Sequence, residues 1–160
     1  MLIIHNNAPD PFTVADQVRT YFQLGRAVSL DEFANDACGS GGVNSYCGPG
    51  GSGRDTIRRA SWAALSSGAA SIQIADTIGD WYSPPGLVGG ILRNIQAFKQ
   101  QWAFWRFVPS TGVAMYSPSG AAVPGFCMEA PGTAGSPSEY MCYVPSVPVS
   151  EDGLQIQGPS

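Results

Sequence analysis

The sequence predicts an α+β fold that is mainly α. A small bundle of about four helices is followed by a Pro/Gly-rich region of short strands and an extended C-terminal tail. Three observations carry this expectation. Apolar residues recur at helical spacing in the stretches before residue 108. Eight of the thirteen prolines fall within 109–160. The apolar pieces in that second region are short and separated by turn-forming residues. The chain therefore divides into an N-terminal arm (1–9), a helical domain (10–108) holding a Gly-rich loop (39–53), a short-strand region (109–144) and a tail (145–160).

In the arm, Leu2, Ile3 and Ile4 are consecutive apolar residues with no partner strand nearby in sequence. Such a segment suits addition to another chain's sheet edge or burial on its own core. The first helix is expected over 11–24. Asp10 can cap it, Pro11 suits its first position, and Val14, Val18, Tyr21 and Phe22 form one face, with Gly25 as the stop. Ser29-Leu30-Asp31-Glu32 has the form of a capping box, which predicts a short helix over 30–37. That helix carries Asp31, Glu32 and Asp36 and no basic residue, so it would repel DNA.

The loop 39–53 lacks the Lys-Ser/Thr ending of a phosphate-binding loop. Helix is expected over 55–82. Ile57, Trp62, Leu65, Ala69 and Ile72 make one stripe, and Ile74, Ile78, Trp81 and Tyr82 make another. The change of face predicts a break near 67 or burial on two sides. The last helix is expected over 85–107, on the stripe Val88, Ile91, Leu92, Ile95, Phe98, Trp102 and Trp105. Its end, Trp102 to Phe107, is apolar on nearly all sides, as in a core or a partner interface. From 109 onward, Val113–Tyr116, Ala121–Cys127 and Tyr140–Val144 are expected as short strands or extended pieces, followed by the tail.

Composition narrows the function. The net charge is −4, with eight basic and twelve acidic residues. The densest basic group, Arg54, Arg58 and Arg59, is too small for the many phosphate contacts of nucleic-acid binding. No apolar run reaches the ~18 residues of a membrane span. The first ten residues lack the basic start and apolar core of a secretory signal.

The one histidine, His5, lies in the extended arm, a poor place for the base that Ser- or Cys-nucleophile catalysis requires. It also excludes zinc sites with several histidines. Asp76 and Asp80 share a helix face, an arrangement usual for solvated carboxylates, and the single lysine, Lys99, falls on the polar side of its helix. No catalytic, cofactor or metal residue is predicted.

The four cysteines, Cys38, Cys47, Cys127 and Cys142, form two sequence-local pairs without the CxxC spacing of a zinc knuckle or redox dithiol. Three connectivities are open. The local pairing is favoured, with free thiols or a four-thiolate metal site as alternatives. Disulfides would place the protein outside a reducing cytosol.

The resulting expectation is a non-enzymatic structural accessory subunit of a large assembly. A tailed-bacteriophage virion fits best, as a head-to-tail adaptor, capsid cement or tail component. Charged residues are only 12% of the chain, sparse for a free soluble protein. A virion is built in cytoplasm and then released to oxidising surroundings. The expected partners are other structural chains of the same assembly, with no specific nucleic acid. They would dock on Leu2, Ile3, Ile4, Trp102, Phe104, Trp105 and Phe107. The alternatives are a secreted or cell-surface disulfide-containing binding module, a supernumerary subunit of a membrane or organelle complex, and a small hydrolase using Asp76 and Asp80.

Overall fold

A computed structural model describes residues 1–5, 10–33, 52–74, 87–145 and 155–157. Strand and helix alternate through its first half: β1 (Leu2–His5), α1 (Pro11–Phe22), β2 (Val28–Phe33), α2 (Ser52–Leu65), β3 (Ala69–Ile74) and α3 (Leu87–Gln101). The three strands form a parallel sheet in the order β1-β2-β3. Parallel neighbours need a crossover that returns the chain to the same end of the sheet, and the segments holding α1 and α2 are those crossovers. Both steps run in the same direction, so right-handed connections put both helices on one face. There they pack on each other.

Local chemistry starts α1. The Asp10 carboxylate accepts from the Thr13 backbone N–H at 2.7 Å and from the Thr13 hydroxyl at 2.8 Å. Pro11 follows at the first turn, where its missing N–H goes unused. Val14 and Val18 then turn inward to meet Ile4, Val28 and Leu30 of the sheet. Ile57, Ala60 and Ala64 of α2 and Ile91 and Ile95 of α3 complete this core.

The second half is antiparallel. A 3-10 turn (Phe104–Arg106) leads into β4 (Val108–Ser110), followed by β5 (Ala114–Tyr116), β6 (Phe126–Ala130), β7 (Glu139–Tyr143) and β8 (Gln155–Gln157). One sheet has the order β4-β6-β7, and β5 pairs with β8. Phe126 of β6 packs against Ala15 of α1 and Ala63 of α2, with its ring 5.4 Å from that of Phe12. Thus α1 and α2 lie between two sheets. Alanines at positions 15, 60, 63 and 64 are all fully buried, and their small side chains let a sheet approach from each side.

The mainly-α bundle of about four helices is therefore overturned. Three α-helices and eight strands in three sheets make up the described residues. The helix expected over 30–37 is replaced up to Phe33 by β2. The capping-box residues sit instead in a strand paired on both edges, where ladder hydrogen bonds outweigh a local signal. The helix expected over 55–82 stops at Leu65, beside the break expected near 67, and its residues 75–82 lie outside the described residues. Gly68, at φ +104°, turns the chain, and Ala69, expected in a helical stripe, opens β3.

The helix expected over 85–107 ends at Gln101, because the Phe104 N–H bonds back to the Trp102 carbonyl in a tighter turn. The arm 1–9 contains β1, an edge strand of the chain's own sheet. The tail 145–160 contains β8. Cys38, Cys47, Asp76, Asp80 and most of the loop 39–53 lie outside the described residues. Among those described, no helix is long and apolar enough to cross a membrane.

Candidate functional site

Three connections meet at the amino end of the parallel sheet. α1 gives way to a turn at Gly25, whose φ of +70° lets Arg26 and Ala27 reverse toward β2. α2 gives way at Gly68, where an added Cβ would lie 2.7 Å from the Phe22 ring and 2.8 Å from the Pro109 ring. The last turn of α3, with Lys99 and Gln100, ends at Gln101 and passes into the aromatic turn. Together they enclose a hollow of about 690 Å³, walled by Phe22, Phe104, Trp105, Phe107 and Met128 and bordered by Arg26, Gln96, Lys99 and Gln100. A second hollow of about 480 Å³ runs between β3 and α3 past Ile72, Leu92, Arg93 and Ile95. Ala70, Gln96 and Lys99 line both.

Lys99 stands at the junction. Its ammonium donates to the Ala70 carbonyl oxygen at 2.7 Å and lies 5.2 Å from the centre of the Phe104 ring. Burial pushes its pKa below the ordinary lysine value, since a less hydrated ammonium is less favoured. Among the described residues the ionic groups lining the two hollows are Arg26, Arg93 and Lys99, with no carboxylate. In a chain with four more acids than bases, this is a local reversal of charge. Its position in the sequence puts Lys99 on the polar side of its helix. Its surroundings arise from Ala70 and Phe104, which only the fold brings there.

The structure gathers part of the expected interface. Phe104, Trp105 and Phe107 share the larger hollow. Phe107 is buried against Met128 and Ala130, whereas Trp105 is 84% exposed. Trp102 stands beside them without lining the hollow, stacked on Phe98 at 5.9 Å and half-exposed. Leu2, Ile3 and Ile4 are on β1 and line neither hollow. Ile4 is buried in the core while Ile3 points outward. Cys127 and Cys142 form a disulfide across β6 and β7.

Of the basic group on α2, Arg58 and Arg59 both pair with Asp55, Arg59 at 2.5 Å. Both side chains thus have a partner within their own helix. The Arg58 hydrogen bond, more than burial opposes it, holds the Asp55 carboxyl below its ordinary range.

A second pair of titratable residues lies toward the opposite end of the sheet. His5 ends β1 and is in register with Asp31 of β2. The carboxyl ends of parallel strands are where open α/β folds hold ligands. On the sequence His5 belongs to an extended arm; the structure fixes its backbone in a ladder. Alternation of strand and helix was the signal that would have found it. The segments following all three strands, 6–9, 34–51 and 75–86, lie outside the described residues. Among the described residues no three His, Cys, Asp or Glu side chains are grouped to hold a metal. No protein-family model matches the chain, and neither a curated protein nor a solved structure matches it.

Proposed function

We propose that the chain is a non-catalytic subunit of a larger assembly and docks partner chains through the aromatic corner formed by α3, the following turn and the end of α1. The exposure of Trp105, 84% in the isolated chain, is the observation that carries this reading. Trp102, Leu24 and Val108 are also exposed. Val108 flanks the same Phe22–Gly25 corner as Trp105. Free monomers seldom present grouped apolar surface of this kind, and tryptophan is among the residues most enriched in interface centres.

The Cys127–Cys142 bond suits an oxidising setting. The low charge content suits a surface covered by neighbours. A virus particle, and specifically a tailed-bacteriophage virion, is the narrower form of the proposal. It rests on composition and the disulfide rather than on the corner itself. A secreted or cell-surface binding module is the second reading, favoured by the same disulfide.

Light scattering on natively purified material separates these readings. Recovery in a particle of many chains, with Trp105→Lys keeping its circular dichroism but failing to incorporate, is the expected result. A monodisperse monomer indifferent to Trp105→Lys would overturn the docking role.

A further inference from the structure

We propose that the larger hollow is a binding site for a small organic carboxylate with an apolar body, its carboxylate held by Lys99. Size comes first. About 690 Å³ lies within the range of small-ligand cavities, roughly 300–1,000 Å³. Chemistry comes second. The aromatic rings at 22, 104, 105 and 107 and the Met128 thioether offer apolar walls, which suit an alkyl or aryl body. Charge comes third. Among the described residues the ionic groups on this lining are Lys99 and Arg26, so it favours an anion.

Lys99 is built for a head group. An ammonium carries three donors, and the Ala70 carbonyl takes one of them. The Phe104 ring restrains the cation from the side. A carboxylate reaching this ammonium would form a charge-assisted hydrogen bond, stronger than a neutral one and strengthened further by partial desolvation. The smaller hollow on the other side of Lys99, carrying Arg93, adds to the positive field at the head.

This ligand site goes beyond the docking role. It shares the Phe104–Phe107 wall with that role, but a partner chain covering Trp105 needs no ligand beneath it.

The test is calorimetric titration of the full chain with dodecanoate, dodecyltrimethylammonium and acetate, each below any micellar concentration. Dodecanoate should saturate at one per chain. The cationic amphiphile should bind about tenfold more weakly or worse, and acetate should give no measurable binding. Lys99→Gln should weaken dodecanoate about tenfold, and Lys99→Arg should restore most of it. Equal binding of the two amphiphiles, or dodecanoate binding unchanged in a folded Lys99→Gln protein, would overturn the site. If Lys99→Gln does not fold, the comparison of head groups on the unaltered protein decides. Loss of Trp105→Lys from particles speaks to docking alone, so the two ideas fail separately.

Discussion

Cys127 lies directly opposite Cys142 in the β6–β7 ladder, their Cα atoms 4.1 Å apart and their sulfurs bonded. The bond joins neighbours that the strands already align, so its main effect is to restrict the unfolded chain. With a sequence separation of 15, replacing both cysteines by alanine should cost about 3 kcal/mol in the loop-entropy account. Urea titration should show the midpoint falling. Unchanged stability would mean that the strands alone hold the hairpin.

Gly68 should tolerate no side chain. Its φ of +104° disfavours any residue with a Cβ, and that Cβ would meet the Phe22 and Pro109 rings inside van der Waals distance. Gly68→Ala should lose about 1–3 kcal/mol by thermal or chemical unfolding. Because Phe22 walls the larger hollow, binding of dodecanoate should weaken with it.

The Tyr143 hydroxyl is buried with no hydrogen-bond partner among the described residues, and its ring stacks on Trp62 at 6.3 Å. Tyr143→Phe keeps the stacking and removes the unsatisfied group, so stability should be unchanged or rise by up to about 1 kcal/mol. Burial, the largest influence, pushes the phenol's pKa upward from 10.0. Above that value the unfolded chain loses this proton first and binds fewer protons than the folded chain. Stability therefore falls as pH rises through that window. The Phe variant should lack this part of the alkaline slope.

Asp55 carries the opposite sign. Arg58, and then Arg59, hold its folded pKa below the unfolded value of 3.8. Its contribution is present above that value and lost as pH falls through the folded one. Both partners are substantially exposed, so Asp55→Asn should cost less than about 1 kcal/mol at neutral pH. The cost should shrink further in about 1 M salt. A larger, salt-independent loss would show that Asp55 does more than pair on the surface.

Trp105→Ala should leave unfolding within about 0.5 kcal/mol of the unaltered chain, since most of the side chain already meets solvent. Association should nonetheless drop in sedimentation or light scattering. A large stability loss would instead assign Trp105 to the fold.

Much of α1 was legible because its signals are local. Asp10, Pro11, Val14 and Val18 act within two turns of one another. The stripe at Ile91, Ile95 and Phe98 marked α3 for the same reason. The parallel sheet was not legible. β1 holds four residues and has no turn joining it to β2, because a parallel partner arrives only after a crossover helix. Ser29 and Glu32, three apart, matched a helix start as well as a strand. What decided between them was the pairing of Leu30 with both Ile4 and Ile72. The setting of Lys99 is hidden from the sequence on the same ground: Ala70, which accepts its hydrogen bond, is 29 residues away.

The sequence by itself determined the low charge, the capped first helix, the closeness in chain of Cys127 and Cys142, and the aromatic run from Trp102 to Phe107. These follow from composition or from residues a few positions apart, whose relations the backbone already constrains. Only the tertiary structure decided that residues 28–33 form a strand, that α1 and α2 lie between two sheets, and that the lone lysine sits in a cation-lined aromatic hollow. Each depends on contacts between distant segments, whose closure is repaid only when the whole core forms.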